Sequence, residues 1–373
     1  MGGWNCGRAL IFAALNLRES RLHTPDDHSD VIHRGTSRGG PEEIEEIARF
    51  LSSFEGRTKQ EKKLPLRIWR KRMRSWWTDN PYCRESSPKG FLLRSSSEAI
   101  SGFLGLIPHD YTFLGSRIPS LALTTHFVKP EARAASLPLF LKAVRLSNQY
   151  QLVDGTPNQP AQALLDRTKF TQIPASSVSV YPIFPGAIGN LPSKFFASAS
   201  RKPRLDTIDW SDGLVTDLSE VAGLALGKSS DVLEKHINRD TLDWYLSSGS
   251  ERKFFAGWRD GEQLLQCFVL GIEKTLFGIP LLLILEASAN PTLGKHAASG
   301  FIRFLARHRK SADLPPRLRM ILYPITQDQT PDGSFLKLKF KRQFPIFHKL
   351  PEPSDAREAR RVVHLSEGDR VFL

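Results

Sequence analysis

Apolar residues recur with a helical period at the start of the pattern. In "PEEIEEIARFLSSFEG" (residues 41–56), Ile44, Ile47, Leu51 and Phe54 fall on one face. Pro41 and four glutamates suit the N-terminal turns of a helix, and Gly56 suits its end. Leu66, Trp69, Met73 and Trp76 repeat the spacing and predict a second helix. The pattern then shortens. "GFLLRSS", "ISGFLGLIP", "YTFLG" and "SLALTTHFV" read as strands separated by turn residues. A helix is expected from about Leu137 to Asn148, with Leu137, Phe140, Leu141 and Val144 on one face. A strand "YQLVDG", a helix from about Gln159 to Arg167 and a further strand opening at Phe170 follow.

The second half repeats this order. "KFFAGWRDGEQLLQCFVLGIEKTLFGIPLLLILEAS" predicts three strands joined by turns, and "HAASGFIRFLARH" a helix. The turn "TFLGSRIP" (112–119) resembles "TLFGIP" (275–280). A repeat of about 160 residues is too long for a solenoid and points to two related α/β units; chance likeness of two such segments is the alternative. The expected division is a poorly ordered tail over 1–35, a first domain over 36–190, a linker over 191–204 and a second domain over 205–373.

Composition adds the partner chemistry. The chain has 373 residues and a formal charge of +13, which favours an acidic partner such as a phosphorylated cofactor, nucleic acid or an anionic membrane surface. Nine Lys or Arg residues and one acid, Glu61, lie between Arg57 and Arg74, on the helix whose other face is the Trp-rich stripe. That arrangement suits a core-facing stripe with a solvated basic face, an anion- or membrane-contacting face, or an RNA-binding face. Three distant cysteines without CxxC spacing argue against a disulfide framework or a zinc site. No apolar run approaches the roughly 18 to 20 residues that span a bilayer. "ALIFAAL" (9–15) lacks the flanks of a signal peptide, so a cytoplasmic setting is expected.

The stretch "VKPEARAASLP" (128–138) runs from a strand into an amphipathic helix, where backbone N–H groups can meet phosphate. With the strand and "TPNQPAQALLDRTKF" that follow, it resembles the GNAT-type N-acyltransferases. The resemblance covers roughly residues 30–185 and, more faintly, 205–373. It implies an α/β (α+β) fold of two GNAT-like domains, each a mixed, mostly antiparallel sheet flanked by helices. "WWTDNPYCRESSPKGFLL" and "HLSEGDRVFL" are similar to two-domain GNAT proteins found with bacterial exopolysaccharide genes. In that family a V-x-P-x-x-R strand end leads to an Arg/Gln-x-x-Gly-x-Gly/Ala loop that holds the pyrophosphate of an acyl-coenzyme A. Val128, Pro130 and Arg133 keep the frame; Ser136 and Pro138 replace the glycines. The resemblance implies an acyl-CoA co-substrate on Phe127, Val128, Arg133, Ala134, Ala135, Ser136 and Asn158, with no metal. Leu165 stands where many members carry a proton-donating tyrosine, and Lys169 where a glycine is usual.

Three residues are candidates for chemistry. His126 lies beside the strand end where an amine would approach and could act as a base. Asp154, ending "YQLVDG", could orient the amine. Glu286, in the apolar "PLLLILEAS", is an acid whose surroundings invite a shifted pKa. The expected activity is acyl transfer from coenzyme A to an amine of a small molecule or sugar precursor. A non-catalytic binding module and a tRNA-dependent aminoacyl-transferase are the alternatives. An acyltransferase of this kind has an amine acceptor as partner, with peripheral membrane contact compatible with the charge.

Overall fold

A computed structural model describes residues 33–37, 39–54, 64–155, 157, 159–173, 175–183, 208–226, 232–249, 251–261, 263–276, 278–294, 296–326, 336–338, 346–351 and 360–361. The expected linker, Asn158 and residues 1–32 of the expected tail lie outside them. The first half forms strands β1 (His33–Thr36), β2 (Gly90–Arg94), β3 (Ile100–Phe113), β4 (Ser116–Val128), β5 (Gln151–Asp154), β6 (Thr171–Ile173) and β7 (Ala175–Pro182). Its helices are α1 (Pro41–Ser53), α2 (Leu66–Met73), α3 (Ser136–Arg145) and α4 (Gln159–Arg167). The second half adds β8 (Leu214–Val215), β9 (Gly223–Leu224), β10 (Val232–Lys235), α5 (Arg239–Ser247), β11 (Lys253–Arg259), β12 (Leu264–Leu276), β13 (Ile279–Ala289), α6 (Ala297–Arg307), β14 (Met320–Thr326), β15 (Leu336–Leu338), β16 (Ile346–Lys349) and β17 (Arg360–Arg361). Strand β1 lies at the edge of the stretch expected to be a tail. Main-chain pairing with β2 holds it, which no side-chain pattern announces.

Two mixed sheets result: the first takes β10, β16 and β17 from the second half, with β10 on the edge of β3, and the second takes β7 from the first. The first runs β1-β2-β3-β4-β5-β16-β6 and the second β15-β7-β14-β13-β12-β11-β8. In both, an antiparallel hairpin (β3–β4, β12–β13) is followed by a helix and a parallel strand (β5, β14). β16 enters between β5 and β6, while β7 enters between β14 and β15. The exchange is reciprocal. A shared core joins the sheets: Trp76, Trp77, Phe103 and Ile107 pack in one cluster with Trp244, Tyr245, Leu270 and Leu285. Trp244 Nε1 donates to the Ser75 carbonyl at 2.7 Å, and the Tyr82 hydroxyl bonds Thr241 and the His236 carbonyl.

Three expectations change. "ISGFLGLIP" and "YTF" form one strand rather than two, in spite of Pro108. Strand β2 pairs with β3 only as far as Gly105, so the missing N–H of Pro108 faces an edge without a ladder partner. Other donors cover that edge: Trp77 Nε1 to the Leu106 carbonyl and Asn80 Nδ2 to the Pro108 carbonyl, both at 2.9 Å. Helix α3 is also rotated from its expected face. Leu139, Phe140 and Ala143 turn inward onto Leu104, Leu106, Leu121 and Leu123, leaving Leu137 and Leu141 outside. On α2 the apolar stripe of Trp69 and Met73 is buried, with Trp76 in the π-turn (Arg74–Thr78) that follows. Its basic face is only partly available, because Arg70 makes a two-pronged ion pair with Glu45 at 2.6 Å.

Candidate functional site

Strands β4 and β5 pair only over Ser120–Ala122 and Gln151–Val153. β4 then continues to Val128, paired with β3 alone. An opening between two parallel neighbours is therefore built into the sheet, with Asp154 at its apex, one residue past the last pair. A bulge modifies the open limb. Phe103 faces Phe127 but Gly105 faces Thr124, so Thr125 and His126 share the place opposite Leu104. Thr125 takes a left-handed backbone, φ 52°, which is costly for a β-branched residue. Bulges re-aim side chains and backbone groups away from the ladder, here along the edge of the opening.

The bulge also sorts the side chains. Phe127 turns to the α1–α2 side, where its ring meets Phe54 at 5.0 Å and Trp69 at 6.4 Å. His126 and Val128 turn to the α3 side. The His126 ring stacks near Phe140 (centroids 6.3 Å apart, planes at 23°), and Val128 packs against the α3 core. His126 Nε2 lies 3.2 Å from Ser136 Oγ, so the histidine sits against the start of α3.

Beyond Val128 the chain winds into a 3-10 helix, Pro130–Ala135, that runs directly into α3. Among residues 129–136 none has a positive φ. Without glycines the chain coils where a phosphate loop would open. The Ser136 N–H donates to the Arg133 carbonyl, and its hydroxyl reaches His126 rather than capping the helix. Arg133 and Ala134 are exposed at the end of the opening, and Ala135 is buried. Leu165, fully buried, packs in the core beneath α3 and α4. Lys169 closes α4 at φ 63°, a conformation that glycine adopts without strain.

Glu286 lies on β13 of the other sheet. That sheet has its own opening, since β13 and β14 pair only over Leu281–Leu283 and Met320–Leu322. Its bulge falls at Leu285, between the Leu270–Glu286 and Gly271–Ile284 pairs. Glu286 stands three residues past the last pair at Leu283, as Thr125 stands three past Ala122. It is 1 % exposed. The connection to α6 contains Gly294 at φ 96°, where a side chain would meet no atom within 4 Å. The first half has no counterpart to that open, left-handed position between β4 and α3.

Sequence reasoning missed the Thr125 bulge and the aromatic contacts of Phe127. The signal was a break in alternation: Ala122 and Phe127 share a face across an odd spacing, with two threonines between them. Elsewhere, the Lys253 amine is pushed down to about 7 by burial and by Lys71. It donates to the Ser248 carbonyl at 2.6 Å beyond the end of α5, which is a capping role. Among the described residues no cluster of three or more His, Cys, Asp or Glu could hold a metal, and no helix is long and apolar enough to cross a membrane.

No protein-family model matches the sequence, and no curated protein matches it. Solved structures do match. A GCN5-related N-acetyltransferase from Anabaena variabilis superposes with a TM-score of 0.50 at 12% identity, covering 88% of this chain and 75% of its own. A conserved protein from Enterococcus faecalis, described as a "Probable N-Acyltransferase", gives a TM-score of 0.50 at 12% identity over 86% of this chain and 73% of its own. At that identity the likeness is one of fold: two mixed sheets flanked by helices, built as in the GCN5-related N-acetyltransferases.

Proposed function

We propose that the chain is an acyl-CoA-dependent N-acyltransferase acting on an amine of a small molecule or sugar precursor. The observation that carries this reading is the opening between β4 and β5, with its bulged limb leading from Asp154 to Arg133, in a chain of this fold. A thioester lying along the open limb would have its carbonyl beside the Thr125 bulge and its phosphates toward Arg133 and the start of α3, whose dipole favours anions. The amine nitrogen attacks the carbonyl carbon, the C–S bond breaks and coenzyme A leaves as thiolate. One proton passes from the new amide nitrogen to the sulfur through water. Leu165 cannot carry that proton, so positioning supplies most of the rate. Asp154 at the apex is suited to orient the amine, and His126 to hold Ser136.

The coiled 3-10 segment favours a second reading, in which the same fold binds a ligand without catalysis. The Ser136 N–H is already engaged and Pro138 has none, which removes two donors from the phosphate end. Acyl transfer to amine acceptors, followed by thiol release from acetyl-CoA and longer acyl-CoAs, separates the two readings. Ligand binding without thiol release for any acceptor would favour the binding module. A cytoplasmic location and an association with polysaccharide synthesis belong to the same proposal, as does a division into two sheet-centred units that exchange β7 and β16.

A further inference from the structure

We propose that the outer face of α3 is a reversible docking surface for an anionic lipid bilayer. Among the described residues three large hydrophobic side chains are exposed: Leu114 at 59%, Leu137 at 40% and Leu141 at 40%. Two of the three share α3 at a four-residue spacing, one above the other. Arg145 extends the row at the same spacing, and Arg133 is exposed in the turn before Leu137. From Lys129 to Tyr150 the chain carries four cations and a single acid, Glu131. The inner side of the helix is committed to the sheet through Leu139, Phe140 and Ala143. Lys142 leans toward the sheet as well, its amine 6.0 Å from the Phe91 ring.

The two leucines and Arg145 together select the occupant. Nucleic acid offers phosphates but no apolar phase for the leucines. A second copy docked two-fold on this face would set arginine against arginine. An anionic bilayer supplies both chemistries: an acyl boundary for Leu137 and Leu141, and lipid phosphates for the Arg145 guanidinium. The net charge of +13 adds long-range attraction. One short helix gives weak, salt-sensitive binding rather than anchoring. The proposal uses only exposure and charge, and it stands whether or not the chain transfers acyl groups.

The test is sedimentation of the full chain with vesicles of phosphatidylcholine alone or with added phosphatidylserine. The chain should sediment with the anionic vesicles only and be released by salt. Leu141→Asp with Arg145→Gln should weaken that binding about tenfold or more. Leu141→Gln, a milder change at the same exposed position, should weaken it in the same direction and guards against a folding defect. Arg67→Gln with Lys71→Gln on α2 should leave it unchanged. Failure to sediment with anionic vesicles overturns the proposal, as does binding that survives both α3 changes. A dimer of the wild-type chain that Leu141→Gln abolishes would assign the face to a second copy instead.

Discussion

Ser136 Oγ is 3.2 Å from His126 Nε2, tying the first residue of α3 to the bulged end of β4. The contact joins the two limbs of the candidate phosphate end, and the Phe140 ring beneath the imidazole limits its freedom. If the link holds the loop in a binding geometry, Ser136→Ala and His126→Ala should each weaken acyl-CoA binding. The loss of one partly exposed hydrogen bond corresponds to about three- to tenfold. The double variant should lose no more than the larger single effect, because both remove the same contact. A double-mutant cycle measured by ligand-induced thermal shift checks this; additive losses would show that the two residues act separately.

The reciprocal exchange of β7 and β16 predicts that the halves depend on each other. Without β16, strand β6 has no neighbour and the first sheet ends at β5. Residues 33–190 and residues 205–373, produced separately, should each lack a cooperative unfolding transition. Mixed, they should regain one, since each carries the strand the other needs. Thermal unfolding followed by circular dichroism reads this directly. Cooperative folding of either piece alone would contradict it.

Much of this architecture was legible in the chain. The α1 stripe of Ile44, Ile47 and Leu51 and the repeated hairpins at Gly115 and Gly278 follow from spacing and turn chemistry. The strand exchange was not legible, because a short strand such as Ile346–Lys349 carries no mark of which sheet it will join. The α3 face was misjudged because Leu137, Phe140, Leu141 and Val144 form as good a stripe as Leu139, Phe140 and Ala143, and only the sheet beneath decides. The Pro108 break was overruled by tertiary donors, Trp77 and Asn80, from a different element. For the candidate site, the resemblance points to Arg133 and Ser136 as an expectation. The 3-10 coil over Pro130–Ala135 was not legible from it, because it depends on backbone freedom rather than on side chains.

His109 predicts how stability varies with pH. It is fully buried between the rings of Tyr82 and Trp244, and neither ring nitrogen has a hydrogen-bond partner among the described residues. Burial, with a smaller contribution from Lys235, holds its pKa well below the usual histidine range. Above about pH 6.5 the imidazole is neutral in both folded and unfolded chains and contributes no slope. Below it the unfolded chain takes up a proton that the folded chain refuses, so stability falls by up to about 1.4 kcal/mol per pH unit. His109→Phe should remove this component. Thermal midpoints of both proteins between pH 7 and pH 5 test it, and parallel curves would contradict it.

Whether an acyl-CoA binds at the end of β4 against Arg133 is decided by isothermal titration of acetyl-CoA into the wild-type chain, Arg133→Ala, Pro138→Gly and Gly294→Val. The wild type should bind measurably, and Arg133→Ala should lose roughly tenfold to a hundredfold, the value of one charge-assisted contact. Pro138→Gly should bind more tightly, because it restores an N–H and backbone freedom at the helix start. Gly294→Val, in the other half, should bind like the wild type. No heat at millimolar ligand from either the wild type or Pro138→Gly would contradict binding there. Binding lost with a Gly294→Val variant that keeps the wild-type thermal midpoint, and kept with Arg133→Ala, would contradict it too, by placing the cofactor in the second sheet.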